Sequence, residues 1–99
     1  MQINQNLTGS TLTLDIEGRI DTTTAPELEA VLKRSVTSDV QNLIFDFAKV
    51  EYISSAGLRV LLAAQKVMKK QGAMTVQHVN DAIMEVFEVT GFSDILTIV

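Results

Sequence analysis

Two adjacent serines, Ser54 and Ser55, are the side chains of this chain best disposed to do chemistry. They follow Phe45-Asp46-Phe47-Ala48-Lys49-Val50-Glu51-Tyr52-Ile53 and precede Ala56-Gly57-Leu58-Arg59-Val60-Leu61-Leu62, which has an apolar helical pattern. That arrangement sets both hydroxyls at a helix N-terminus, where unpaired N–H groups and the positive dipole end favour an exposed anion by about 0.3–1 kcal/mol. A phosphate added to either hydroxyl is therefore tolerated by its own domain. Serine is equally a preferred N-cap, so capping accounts for the pair as well. Ala56 and Gly57 carry little bulk, which lets another protein or a nucleotide phosphate come close.

Other reactive side chains are sparse. Arg59 projects from the first turns of that helix, either to pair with a partner carboxylate or as a solvated charge. His78 lies in or beside a strand, and with no second His and no Cys it cannot complete a metal site. Disulfides, thiol catalysis and thiolate sites are excluded in the same way. There is no Gly-x-Ser-x-Gly elbow to pair Ser55 with His78, and no Gly-x-x-x-x-Gly-Lys-Ser/Thr loop. Neither catalysis nor a cofactor or metal is expected.

The elements that carry these residues read as a mixed α/β pattern. Leu12, Leu14 and Ile16 alternate as a half-buried strand, paired with Gln2 to Leu7 through the turn formers Thr8-Gly9-Ser10. Gly18-Arg19-Ile20-Asp21 reads as a further brief strand bent at Gly18. Thr24-Ala25-Pro26-Glu27 has the form of a capping box, with Leu28, Val31, Leu32 and Val36 at helical spacing behind it. Leu43-Ile44-Phe45-Asp46-Phe47 is expected to be a central strand buried on both faces, followed by a loop over Ala48 to Ser54. A second helix runs from Ser55 or Ala56 to about Gln71 and stops at Gly72. A strand over Ala73 to Val79 precedes a third helix, capped by Asn80 or Asp81, carrying Ile83, Val86 and Phe87, and closed by Gly91. Ile95 to Val99 reads as a last strand. The order β-β-β-α-β-α-β-α-β implies parallel crossovers after an opening hairpin.

Composition agrees with a single folded domain over residues 1–99. Of the 99 residues 46% are hydrophobic and 20% charged, far from the composition of a disordered chain. Eight basic against twelve acidic residues give a formal charge of −4, which disfavours direct binding to nucleic acid or to an anionic membrane surface. The start MQINQNLTGS lacks a basic region followed by an apolar run, and no stretch approaches the roughly 18 apolar residues of a spanning helix. A cytoplasmic protein without membrane insertion is the expectation.

Three blocks of the chain resemble the STAS domain, and within it the bacterial anti-sigma factor antagonists of the SpoIIAA and RsbV type. Gly18-Arg19-Ile20-Asp21 through Ala25-Pro26-Glu27-Leu28 resembles the family's stretch before its first helix. Leu43 through Ala64 resembles its strand, loop and phosphorylatable-serine helix, and Phe87 to Ile95, with Gly91-Phe92, a third and weaker pattern. The implied fold is a mixed β-sheet with an N-terminal hairpin, flanked by about three helices. By position, Ser55 corresponds to the family's phosphate acceptor, with Ser54 the alternative. Ser54 itself stands where the family has Asp.

The resemblance implies partner switching. The unphosphorylated protein binds an anti-sigma factor with serine kinase activity, phosphorylation releases it, and a serine phosphatase resets it. The expected partner surface comprises Asp21, Thr22, Thr23, Ser54, Ser55, Ala56, Gly57 and Arg59, with the protein a monomer or weak dimer. Asp21 serves either that surface or the turn it forms with Thr22 to Thr24. A charge of about −1.5 to −2 facing a partner carboxylate is large enough to switch binding: at ~4 Å and an effective dielectric of ~20, one unit charge is worth ~4 kcal/mol. The other role the resemblance allows is a STAS subunit in a stress-sensing scaffold or lipid-transport complex.

Overall fold

A computed structural model describes residues 1–99. The opening alternation builds β1 (Gln2–Thr8) and β2 (Thr11–Ile20), an antiparallel hairpin whose turn contains Gly9 at φ +62°. Gly18 does not begin a separate strand. β2 runs through it to Ile20, and its φ of +104° absorbs the local twist, leaving Ile20 on the same buried side as Leu12, Leu14 and Ile16.

After α1 (Ala25–Ser35), the chain forms β3 (Asn42–Ile53), α2 (Ser55–Met68), β4 (Ala73–Gln77), α3 (Asp81–Thr90), a 3-10 turn at Phe92–Asp94 and β5 (Thr97–Ile98). The sheet order is β1-β2-β3-β4-β5, with every pair after the hairpin parallel. Each crossover steps one strand in the same direction, and right-handed connections then set all three helices on one face. Burial follows that layering. Leu43, Phe45 and Phe47 of β3 and Met74 and Val76 of β4 are buried beneath the helices, whereas Ile44, Asp46, Thr75 and Gln77 on the opposite face are half-buried. β3 is central, but only one of its faces is covered, which corrects the expectation of a strand buried on both.

The expected loop over Ala48 to Ser54 is also corrected, because β3 continues to Ile53. Two register shifts against β2 insert an extra residue each on β3, between the pairs Asp15↔Asp46 and Glu17↔Lys49 and between Gly18↔Val50 and Arg19↔Tyr52. Such bulges re-aim the strand. They return Val50 and Ile53 to the core at a spacing of three instead of two.

The helices follow their apolar stripes. Leu28, Val31 and Leu32 of α1 and Leu58, Leu61, Ala64 and Met68 of α2 are buried, as are Ile83 and Phe87 of α3. Phe87 lies 6.5 Å from Phe47, which is edge-on to Phe45 at 6.2 Å, so α3 is anchored to the middle of β3. Burying one such ring is worth about 1.5–3 kcal/mol. α2 ends at Met68, earlier than expected, and Gly72 serves the next junction: a Cβ there would lie 1.8 Å from the Gln41 carbonyl oxygen. Asn80 caps α3 by accepting from the Ile83 N–H at 2.8 Å, and Gly91 closes it in the left-handed conformation. The last strand is shorter than Ile95 to Val99. Phe92 to Asp94 are wound into the 3-10 turn, and only Thr97 and Ile98 pair with β4.

Candidate functional site

Because β2 and β3 are adjacent and parallel, their C-terminal ends finish together at the Ile20↔Ile53 pair. The residues that follow, Asp21 to Thr24 and Ser54 to Gly57, are thereby neighbours. The Ser54 N–H donates to the Ile20 carbonyl at 2.8 Å, which ties the start of α2 to the end of β2. Ligand sites of parallel sheets commonly form at this strand end.

The two serines have different surroundings. Ser54 is the N-cap of α2: its backbone is extended, its Oγ accepts from the Gly57 N–H at 3.3 Å, and its carbonyl accepts from the Leu58 N–H at 2.9 Å. Ser55, the first residue of the helix, is exposed, and its hydroxyl makes no hydrogen bond within the chain. Ala56 is half-buried beside it. Gly57 is buried, and a Cβ there would lie 2.7 Å from both Ile20 Cγ2 and Ile53 Cγ1. Its small size therefore lets α2 pack against β2 and β3, a correction to its expected role of admitting a partner.

Asp21 organises the facing turn. Its Oδ1 accepts from the Thr23 hydroxyl at 2.7 Å and from the N–H groups of Thr23 and Thr24 at 3.0 and 3.1 Å. The Thr23 hydroxyl has the largest influence and holds the Asp21 carboxyl below the usual carboxylate range; burial opposes it, while the two N–H groups add to it. The capping box at Thr24 does not form. Thr24 is in a helical conformation, and its hydroxyl turns back to donate to the Arg19 carbonyl at 2.8 Å while accepting from the Asp21 N–H at 2.8 Å. Asp21, three residues earlier, satisfies the free donors instead. That leaves its Oδ2, 3.8 Å from Arg19 Nε, to face outward.

Between the N-terminal turns of α1 and α2 lies an open groove of about 400 Å³, lined by Thr22, Ala25, Pro26, Ala56, Arg59 and Val60, with Glu29 at one end. Thr22, Thr23 and Arg59 are exposed. The expected set is thus brought together around one rim, except that Gly57 lies beneath it. Sequence reasoning missed the flank of this rim: the Arg19 guanidinium stacks over the Tyr52 ring at 4.4 Å. Pairing Arg19 with Tyr52 across β2 and β3 produces that contact, and the doubly shifted register concealed it.

Away from the rim, His78 adopts φ +60° just after β4, and its Nδ1 lies 2.9 Å from Asp46 Oδ1. Desolvation pushes the Asp46 carboxyl up, but the Ala48 N–H, the His78 hydrogen bond and the charges of His78 and Lys49 together hold it below its usual value. No group of three or more His, Asp or Glu side chains is positioned to hold a metal ion. No helix is long and apolar enough to cross a membrane.

Comparison with known proteins relates this rim to a family. The model of the STAS domain matches residues 2–99. The chain is 32% identical over 84 residues to the anti-sigma-B factor antagonist of Listeria monocytogenes, covering 84% of this chain and 74% of that one. In structure it is similar to an anti-sigma factor antagonist from Mycobacterium paratuberculosis, with a TM-score of 0.88 at 24% identity, over 98% of this chain and 83% of that chain. It is also similar to the Bacillus cell fate determinant SpoIIAA in its phosphorylated form, with a TM-score of 0.77 at 15% identity, over 99% and 91%.

Proposed function

The chain belongs to the STAS domain family, and from that premise we propose that it is an anti-sigma factor antagonist switched by phosphorylation of Ser55. The observation that carries this reading is the division of labour between the two serines: Ser54 is engaged as the cap, and the Ser55 hydroxyl is exposed and free. Unmodified, the rim of Thr22, Thr23, Asp21 and Arg59 around Ser55 binds an anti-sigma factor with serine kinase activity. A phosphate at Ser55 then sits in the middle of that interface. It must be desolvated and it repels acidic partner groups; even ~2 kcal/mol of such repulsion exceeds a tenfold loss of affinity. The substrate role requires no catalytic group of its own, and a serine phosphatase reverses the modification. That a relative of this fold, SpoIIAA, exists in a phosphorylated form supports the reading.

The test is a pull-down from the native cells with wild type, Ser55→Ala and Ser55→Asp as baits. Wild type and Ser55→Ala retain an anti-sigma kinase and Ser55→Asp loses much of it, although one carboxylate imitates a phosphate only in part. Equal retention by all three baits overturns switching, and constant recovery with a transporter assigns the chain an assembly role instead.

A further inference from the structure

Building on the reading of Ser55 as the modified hydroxyl, we infer that Arg59 is the intramolecular counter-ion of a phosphate at that position. Modification then does two things at once: it adds negative charge to the rim and withdraws the guanidinium from the groove between α1 and α2.

Ser55 and Arg59 are four residues apart on α2, a spacing that brings Cβ atoms within about 5–6 Å. Helical side chains lean toward the N-terminus, so that of Arg59 overlies the turn beginning at Ser55. An acidic group preceding a basic one by four residues is the favourable order along a helix. Guanidinium presents a planar fork of donors that matches phosphate oxygens, which an ammonium cannot do.

The surrounding charges leave Arg59 available. It is exposed and has no ion-pair partner. Glu29, the carboxylate across the groove on α1, is 3.5 Å from Lys33. Arg19 on β2, the other nearby guanidinium, is stacked on Tyr52 and faces Asp21. The Asp21 carboxylate in the facing turn and Glu51 near the end of β3 are acidic and oppose a phosphate, which sharpens the need for a cation on α2 itself.

The test uses the full chain with phosphoserine incorporated at position 55 during synthesis, so that no kinase is required. Phosphorus NMR against pH then reads the second ionisation of the phosphate, near 6 for an unperturbed group. Arg59→Gln raises that value by about 0.2–0.4 unit, the effect of one intrahelical ion pair on the added charge. Arg59→Lys recovers part of the difference, and Arg19→Gln leaves the value unchanged. Identical titrations for wild type and Arg59→Gln, or a larger shift from Arg19→Gln, overturn the assignment. Failure here leaves the partner-switching reading intact, whereas failure of the pull-down leaves this titration unaffected.

Discussion

Replacing Gly57 with Ala probes the packing that sets the site. The added Cβ would lie 2.7 Å from Ile20 Cγ2 and 2.7 Å from Ile53 Cγ1, about 1 Å inside the optimum carbon separation. Both isoleucines are buried, with exposures of 0% and 3%, and the contacted atoms are next to Cβ, so neither can swing aside. Overpacking costs about 1–3 kcal/mol, and two such contacts belong in the upper half of that range. Alanine returns at most about 1 kcal/mol through helix propensity. The net loss is about 1–2 kcal/mol, a fall in Tm of about 5–15 °C for a domain of this size. Thermal and urea unfolding measure it. In an Ile53→Ala background, which removes one of the two contacts, the same substitution costs less. A Gly57→Ala protein as stable as wild type, or the same cost in both backgrounds, would refute the reasoning.

Three further outcomes are expected. Ser54→Ala loses the α2 cap and about 1 kcal/mol, whereas Ser55→Ala stays within about 0.5 kcal/mol of wild type in urea unfolding; the reverse order would mean that the two hydroxyls have exchanged duties. Gly72→Ala sets a Cβ against the Gln41 carbonyl, a backbone group that cannot rotate away, and costs about 3 kcal/mol or more, read as a fall in the urea midpoint. Asp46 is held below its ordinary value of 3.8, so its ionised form stabilises the fold at neutral pH and that contribution fades as pH falls through the lowered value. Asp46→Asn therefore lowers stability at pH 7 and flattens the loss between about pH 5 and 3; an equally steep acid limb in the variant would exclude this role.

The elements whose own residues specify their ends were legible in the sequence: Asn80 and Gly91 bracket α3, Gly9 turns the first hairpin, and the stripes of α1 and α2 face the core. Legibility failed where a strand departs from period 2. Beyond Phe47 the inward residues are Val50 and Ile53, a spacing that resembles neither a strand nor a loop until two bulges are placed against β2. Thr24 shows the other limit. Its spacing to Glu27 fits a capping box, but Asp21 competes for the same N–H groups and holds them. The serine pair was found from type and position alone. Which hydroxyl is engaged was not, because it depends on a single helical turn of register.

In this sheet the spatial order of the strands is the order of the chain. No strand has to be inserted between two that are already paired, so during synthesis each one emerges to find its neighbour in place. The rim draws only on residues up to Arg59, and the helix that carries both serines ends at Met68. Everything from β4 onward is laid against the far side of β3 afterwards. Changes in α3 or β5 can therefore alter how firmly the molecule holds together without redrawing the surface a partner meets.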